Sequence, residues 1–274
     1  MKNSDTIQAV ISDLHTGSIH ALTVARKWKG ERTMWVYPRS EQVAIRKHLD
    51  RYTDEVLQAR KGKKLKLIVN GDAIDGDHHS TPDVFTRDIG EMADLHIEIM
   101  SDIQKKMGWQ RGDELYYIKG TEVHTSDKEH YIAEKLNAVT DSEGNYAHDT
   151  FDVVTNGVVS RFVHHGPGAG SGANEGNALR NWLKAIYYDS VKDKEIVPDI
   201  FYTGHVHNPT YATFETRAGM NYKIMHGVIT PSWQAKNRYA WMKAPVSRNK
   251  IGGVIHEIKS DGTICVPKFS VMGY

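Results

Sequence analysis

The sequence has a single cysteine, no long apolar run and almost no net charge, and each shortage excludes a class of protein. The lone Cys265 excludes an internal disulfide and a cysteine-rich zinc module, and it points to a reducing compartment. No apolar stretch approaches the length of a membrane span, and residues 1–5 lead into the first predicted strand without a signal-type apolar segment. We therefore expect a soluble, cytoplasmic protein with no membrane partner.

The near-neutral charge removes one common argument for a nucleic-acid-binding protein. The formal net charge is +1 over 274 residues, whereas a nucleic-acid-binding domain is usually markedly basic. One basic run stands out between a predicted helix and a predicted strand, and it contains Lys61, Lys63, Lys64 and Lys66. We interpret this run as a solvated helix end. The alternative is a surface that contacts phosphates, since lysine supplies the sequence-independent part of nucleic-acid affinity.

The first half of the chain alternates between predicted strands and predicted helices. Short apolar strands are predicted at 7–12, 65–70 and 115–119. Helical spacing of apolar residues predicts helices at 40–60, 88–107 and 127–139. This alternation is typical of parallel strands joined by crossover helices.

The second half is richer in strands. Asn156-Gly157 predicts a tight hairpin turn between strands at 151–155 and 158–164. One helix is predicted at 177–192, and further strands are predicted at 200–203, 211–216, 222–228, 254–259 and 264–269. A mixed sheet packed on a second sheet, with helices outside, accounts for both halves. We expect residues 1–274 to form one domain of the α/β class.

Five short motifs carry most of the chemistry in this sequence. They are Ser12-Asp13-Leu14-His15, Gly71-Asp72-Ala73-Ile74-Asp75-Gly76, Lys119-Gly120-Thr121-Glu122-Val123-His124, His164-His165-Gly166 and Gly204-His205-Val206-His207. Four of them follow a predicted strand, so their carboxylates and imidazoles are expected at one end of a sheet. Such donors suit Mn, Fe or Zn, and an aspartate can bridge two ions. Two-metal hydrolases are built in this way.

In this order the motifs resemble those of the calcineurin-like metallophosphoesterase superfamily. The resemblance spans roughly residues 7–207 and implies a four-layer αββα sandwich of two mixed β-sheets flanked by helices. It also implies hydrolysis of phosphoesters by a two-metal mechanism. The matching residues are Asp13 and His15 of D-x-H, Asp72 of G-D-x-x-D, His165 of H-G, and His205 and His207 of G-H-x-H.

The resemblance also implies how the ligands divide between two metal ions about 3.5–4 Å apart. Manganese is the first expectation for both ions, and Fe, Zn or Ni would also suit these ligands. Asp72 would be shared by both ions. The first ion would also take Asp13, His15 and His207, and the second would also take His165 and His205.

The third motif departs from the family pattern, which usually has G-N-H followed by an acidic residue. Here the chain reads Gly120-Thr121-Glu122-Val123-His124. We expect the Glu122 carboxylate to replace the missing amide ligand. The alternative is that Glu122 faces solvent and water fills the position. His124 is the expected proton donor to the leaving group, with His78 and His79 as alternatives.

Two further residues near the motifs receive supporting roles. Asp75 matches the second acidic residue of G-D-x-x-D, and we expect it to orient a ligand histidine through a hydrogen bond. His164 directly precedes His165. Because adjacent strand residues point to opposite faces, we expect His164 to point away from the metals and to be structural.

The substrate is predicted less directly than the reaction. Gly76-Asp77 stands where phosphoprotein phosphatases place an arginine that grips a terminal phosphate, so a phosphodiesterase, in particular a nuclease acting on DNA, is our first hypothesis. A phosphomonoesterase and a non-catalytic metal-binding scaffold are the alternatives, and the six retained ligands argue against the scaffold. An aromatic-basic segment is interpreted as packing, with a base-stacking platform as the alternative. It contains Trp233, Arg238, Tyr239 and Trp241.

Overall fold

The computed structural model describes residues 4–29, 33–77, 82–125, 127–218, 221–237, 242 and 249–272. His78, His79, Arg238, Tyr239 and Trp241 lie outside the described residues. The helices are α1 (Ser40–Arg60), α2 (Ile89–Lys106), α3 (Glu122–Thr125), α4 (Lys128–Lys135) and α5 (Asn177–Asp193). Within the described ranges, none of these helices is both long enough and apolar enough to cross a membrane.

The larger sheet has six strands in the order β13-β12-β1-β4-β5-β6. Its strands are β1 (Thr6–Ile11), β4 (Lys64–Asn70), β5 (Glu114–Ile118), β6 (Ala147–His148), β12 (Gly252–Ile258) and β13 (Lys268–Val271). The pairs β1–β4, β4–β5 and β5–β6 are parallel, whereas β12 runs antiparallel to both β1 and β13. The sheet is therefore mixed, and its parallel part comes from the alternating first half of the chain.

The smaller sheet has five strands in the order β10-β11-β9-β8-β7. Its strands are β7 (Thr150–Thr155), β8 (Val158–Val163), β9 (Ile200–Thr203), β10 (Thr210–Ala218) and β11 (Asn221–Ile229). The predicted hairpin joins β7 to β8, and Asn156 and Gly157 both have positive φ angles, as a tight hairpin turn requires. Because β9 is parallel to both β8 and β11, this sheet is also mixed.

The two faces of β1 show how the layers are held together. Ile7, Ala9 and Ile11 belong to the apolar cluster that includes helices α1 and α2, whereas Val10 belongs to the cluster between the two sheets. On the far side, Leu183 of α5 packs on Phe201 of the smaller sheet. The order of layers is therefore helix, sheet, sheet, helix. The predicted four-layer αββα sandwich of two mixed sheets is confirmed.

Helix α2 illustrates why the predicted helices form. Asp88 caps its first turn by accepting hydrogen bonds from the backbone N–H groups of Gly90 and Glu91. Met92, Ile99 and other residues at helical spacing are buried against the larger sheet. Each such side chain contributes about 1.5–3 kcal/mol through removal from water. The stripe is therefore part of the core, as the spacing predicts.

Several elements differ from the predictions. A separate hairpin of β2 (Arg26–Lys29) and β3 (Thr33–Val36) was not predicted. Helix α4 ends at Lys135 rather than at residue 139, and Asn137 just beyond it has a left-handed φ of 53°. Strand β13 begins at Lys268 rather than at residue 264. Pro267 precedes that strand, and proline has no N–H to donate to a sheet.

The basic run between α1 and β4 is used mainly in ion pairs. Lys63 pairs with Glu257, and Lys64 pairs with Glu114. Lys66 is buried, and its Nζ lies 3.2 Å from Glu114 Oε2. These three lysines therefore tie strands of the larger sheet together. Lys61, the exposed C-cap of α1, is the part of the run that fits the interpretation as a solvated helix end.

Candidate metal centre

The loops that follow β1 and β4 are joined by backbone hydrogen bonds. The N–H of Asp13 donates to the carbonyl of Gly71 at 3.0 Å, and the N–H of His15 donates to the carbonyl of Asp72 at 2.9 Å. This pairing continues the parallel register of the two strands past their carboxyl ends. It brings the Asp13 and Asp72 carboxylates together at one edge of the larger sheet.

The imidazoles come mainly from the smaller sheet. His164 and His165 follow β8, and the N–H of Gly204 after β9 donates to the carbonyl of His164 at 2.9 Å. The N–H of His205 lies 3.2 Å from both carboxylate oxygens of Asp13. His207 Nε2 lies 3.1 Å from Asp13 Oδ1. The Asp13 carboxylate therefore joins the edges of the two sheets.

The backbone is strained where the motifs meet. Five non-glycine residues of the motifs have φ angles in the left-handed region, between 43° and 66°; they are Asp13, His15, Asp72, His205 and His207. Side chains rarely adopt this conformation, which costs free energy and persists only where the surroundings impose it. Strain of this kind clusters at functional sites. Its coincidence with the motif residues supports a functional site here.

Two motif glycines are required by close packing around the cluster. A Cβ atom on Gly71 would lie 2.2 Å from His164 Nδ1, and a Cβ atom on Gly204 would lie 2.3 Å from Ser12 Oγ. Neither contact is possible for a real side chain. The G-D and G-H motifs therefore need glycine because the histidine and carboxylate side chains pass directly over the backbone.

Ligand atoms of the motif residues form one continuous cluster. Among the described residues, four overlapping groups have ligand atoms within 4.8 Å of one another: Asp13, His15 and His207; His15, Asp72 and His124; Asp13, Asp72 and His164; and His164, His165 and His205. Six of the seven predicted metal ligands belong to these groups. Mixed carboxylate and imidazole donors fit divalent Mn, Fe or Zn. The cluster therefore has donors that suit divalent metal ions.

His164 lies in this cluster, so its interpretation as a structural residue pointing away is wrong. Its Nε2 lies 3.1 Å from Asp72 Oδ2 and 3.9 Å from Asp13 Oδ1. Its Nδ1 donates a hydrogen bond to the Asn70 carbonyl at 3.0 Å, which fixes the ring orientation. The alternation rule failed because β8 ends at Val163, and the chain beyond it is no longer a strand. His164 and His165 therefore both face the cluster.

The charges in the cluster are strongly coupled. Burial opposes ionisation of Asp13, but the neighbouring His207 and His164 lower its pKa to about 2. Burial likewise opposes protonation of His164, but Asp72 and Asp13 raise its pKa to about 10. The two carboxylates are 0% and 2% exposed, so they need positive charge close by. Protonated imidazoles supply that charge here, and divalent cations would fit the same place.

Asp75 holds two histidines in position. Its Oδ1 accepts a hydrogen bond from His15 Nδ1 at 2.9 Å, the contact with a ligand histidine that the sequence suggests for Asp75. His15 Nε2 is thereby directed to Asp72 Oδ2, 3.7 Å away. Burial alone would lower the pKa of His15, but the Asp75 hydrogen bond and the Asp72 charge raise it to about 9. The carbonyl of Asp75 accepts from His124 Nδ1 at 2.8 Å.

The altered third motif does not bring Glu122 to the cluster, which departs from the expectation. Glu122 begins the short helix α3 with an exposed side chain and belongs to none of the four ligand groups. Its neighbour Thr121 makes the contact instead, with its N–H donating to Asp72 Oδ1 at 2.6 Å. The turn into α3 thus directs the backbone of Thr121, rather than the carboxylate of Glu122, toward Asp72. His124 does join the cluster, beside His15 and Asp72.

Glu129 is a buried acidic residue that the sequence analysis missed. Its carboxylate accepts hydrogen bonds from the N–H of Ala73 at 3.1 Å and of Gly120 at 2.7 Å. It therefore ties the second motif to the third, and burial raises its pKa to about 7. One feature of the sequence could have identified Glu129 as buried: it lies on the same face of α4 as the buried Ile132 and Ala133.

The structure bears differently on two other residues that the sequence analysis singled out. His79, an alternative proton donor, lies outside the described residues. Trp233 is 0% exposed, and its ring centroid lies 5.5 Å from that of His48 and 5.6 Å from that of Tyr52. Trp233 is therefore a core residue. The alternative of a base-stacking platform is wrong for Trp233.

Comparisons with known proteins are sparse at the level of sequence. No protein-family model matches the chain, and no curated protein matches it. One similar solved structure is a conserved uncharacterized protein from Streptococcus pneumoniae described as a predicted phosphoesterase. It has 11% identity and a TM-score of 0.35, covering 98% of this chain and 99% of that one.

A second similar structure is the NAD nucleotidase of Haemophilus influenzae, with 12% identity and a TM-score of 0.41. The match covers 99% of this chain and 51% of the nucleotidase, so this chain spans about half the length of that protein. A protein of Thermotoga maritima is similar at 13% identity and a TM-score of 0.35, with 98% and 99% of the two chains covered. Because these identities and TM-scores are low, we base the proposed function on the geometry of the cluster.

Proposed function

We propose that this chain is a calcineurin-like metallophosphoesterase that hydrolyses phosphodiester bonds with two divalent metal ions. One observation carries the proposal. The Asp13 and Asp72 carboxylates are held together at the edge of one sheet, and imidazoles from the edge of the other sheet surround them. The order of the motifs along the sequence and the four-layer fold agree with this assignment.

A phosphoester is negatively charged, so the site must neutralise that charge and activate the attacking water. Divalent ions supply a Lewis-acidic centre that acidifies water and neutralises phosphoryl oxygens. Asp13 and Asp72 provide the anionic donors, and His207, His164 and their neighbours provide the imidazole donors. Asp75 and the Asn70 carbonyl orient the rings of His15 and His164 through hydrogen bonds.

His124 is the residue we propose to move the proton. Its Nδ1 donates to the Asp75 carbonyl, so proton exchange with the substrate falls to Nε2. Burial and the nearby charge of His15 lower the pKa of His124, which favours the neutral ring at pH 7. A neutral ring can accept at Nε2 the proton that the attacking water loses, and can then donate that proton to the leaving oxygen. Its place beside His15 and Asp72 supports this role.

The substrate we propose is a phosphodiester of nucleic acid, with DNA as the first candidate. Gly76-Asp77 stands where phosphoprotein phosphatases place a phosphate-gripping arginine, and Asp77 is ion-paired with Arg87. A diesterase must also accept an organic group on each side of the phosphorus. The cluster is exposed on the side of His165 and His205, which leaves room for such groups.

The proposal is tested with Mn-loaded protein on matched substrates. Bis-(p-nitrophenyl) phosphate should be cleaved faster than p-nitrophenyl phosphate, and a chelator should abolish both reactions. Single- and double-stranded DNA and RNA are then compared at several salt concentrations, because phosphate contacts make binding salt-dependent. Rapid cleavage of the monoester with no action on any nucleic acid would assign a phosphomonoesterase instead. No cleavage of any ester would leave a metal-binding scaffold.

A further inference from the structure

A cleft with a volume of about 360 Å³ opens beside the metal cluster. Its lining includes Lys119, His164, His165, Trp182, Ile186 and Phe201. Two of these residues, His164 and His165, also belong to the ligand cluster, so the cleft and the cluster share a wall. A group joined to a phosphate at the cluster would therefore lie in this cleft.

We propose that this cleft binds the nucleobase next to the scissile phosphate, with the base stacked on Trp182. The proposal rests on the proposed phosphoesterase function and names the part of the substrate that the cleft recognises.

The apolar wall of the cleft suits a flat aromatic ring. Trp182 lies on α5 with 39% of its surface exposed, and Ile186 follows one turn later on the same face. Ile186, Val163 and Phe201 pack in one apolar cluster behind this wall. An indole partly open to solvent beside a rigid apolar floor is a stacking surface, and every base has a face that can stack on it.

The polar side of the cleft suits the charged part of a nucleotide. Lys119 lies one residue beyond the end of β5, directly before Gly120 of the third motif, and its Nζ lies 3.8 Å from Asp149 Oδ2. Both residues of this ion pair line the cleft, as do Trp182 and Ile186 of α5. The cleft therefore offers a cation and an anion for the edge of a base, and the metal cluster for its phosphate. Its volume is at the small end of ligand pockets of about 300–1,000 Å³, which suits one nucleoside.

The test measures binding rather than turnover. Isothermal titration calorimetry on Mn-loaded protein compares the methylenephosphonate analogue of AMP, which cannot be hydrolysed, with methylphosphonate, which lacks the nucleoside. Trp182→Ala should weaken binding of the AMP analogue roughly 5-fold to 150-fold, as expected for a lost base stack. Binding of methylphosphonate should not change. Trp182→Phe should retain most of the affinity.

Tyr188 provides a matched control. It lies on the same helix, is 54% exposed, and does not line the cleft. Tyr188→Ala should bind both ligands as the unaltered protein does. Unchanged affinity of Trp182→Ala for the AMP analogue would overturn the proposal. Equal weakening of both ligands would also overturn it, because Trp182 would then support the fold or the cluster.

The same titration distinguishes a base that belongs to a nucleic-acid end from a base that belongs to a mononucleotide. A dinucleotide carrying the same phosphonate should bind more tightly than the AMP analogue if the substrate is a nucleic-acid end, and no more tightly if it is a mononucleotide. Failure of the proposed function is distinguishable from failure of this inference. If the protein cleaves no phosphoester but Trp182→Ala still weakens binding of the AMP analogue alone, the base site stands. The phosphoesterase function is then rejected.

Discussion

The two sheet edges that meet at the metal cluster differ in burial and in charge. The edge of the larger sheet contributes the carboxylates of Asp13 and Asp72, both buried. Beyond the smaller sheet, His165 and His205 are exposed. One edge therefore supplies buried anionic donors, whereas the other supplies imidazole donors that are open to solvent.

The pKa values of these histidines depend on contact with the buried carboxylates rather than on the sheet that each histidine comes from. His15, which faces the buried carboxylates, has a raised pKa and carries a proton at pH 7. Burial and the charge of His164 lower the pKa of His205 to about 4, and the same causes lower the pKa of His165. His165 and His205 are therefore neutral imidazoles that can bind an ion directly, whereas His15 and His164 must first release a proton.

Breaking the carboxylate edge should have the largest effect. Asp72→Asn removes the charge that faces His15 and His164, so binding of both ions and all activity should fall to background. Elemental analysis after dialysis against Mn measures the loss. His207→Ala should mainly affect one ion. Asp94→Asn, an exposed carboxylate on α2, is the matched control and should keep full occupancy. Full Mn occupancy in Asp72→Asn would contradict a shared ligand.

The proton-transfer role of His124 predicts a loss of turnover without a loss of metal. His124→Ala should lower kcat roughly 10²-fold to 10⁴-fold on a diester with a poor leaving group. The loss should be much smaller with p-nitrophenolate, which leaves without a proton. Equal losses on both substrates would show that His124 acts through the metals.

Glu122→Ala is the companion variant within the same motif. Because Glu122 is exposed and lies outside the ligand groups, its removal should leave Mn affinity and turnover nearly unchanged. A clear drop in Mn affinity would restore Glu122 as the ligand that the sequence suggests.

Substitution of Asp75 tests how much its hydrogen bond to His15 contributes to metal affinity. Asp75→Asn keeps the size of the side chain but weakens the hydrogen bond that orients His15. Loss of such a supporting partner typically costs 10-fold to 100-fold in metal affinity or activity. Titration with Mn in competition with a chelator measures the change. Unaltered affinity would show that the backbone alone positions His15.

The last prediction concerns the core between the sheets, away from the metal cluster. Burial lowers the pKa of His256 to about 4, and its ring is held by Tyr202 and the Cys265 carbonyl. Unfolded chains take up this proton near pH 6.5. The free energy of unfolding should therefore fall by up to about 3 kcal/mol from this residue as pH drops from 6.5 to 4. Urea unfolding of His256→Gln should show a shallower pH dependence, and an equal slope would contradict this.

Local patterns in the sequence predicted the regular elements well. Helix α1 spans residues 40–60 and β9 spans residues 200–203, as apolar spacing predicts. The motifs also contain all eight clustered residues, six of which were predicted as metal ligands. The predictions that failed concern features that are fixed only in the folded structure. Glu129 is recognisable only once two distant loops donate to it, and His164 faces the cluster because its strand ends one residue earlier than the pattern suggests.

Anomalous diffraction from Mn-saturated crystals would locate the metal ions themselves. We expect two Mn peaks that share Asp72. One should contact Asp13, His15 and His207, and the other should contact His205 and one or both of His164 and His165. At most one peak after saturation, or two peaks that share no carboxylate, would contradict the two-metal site.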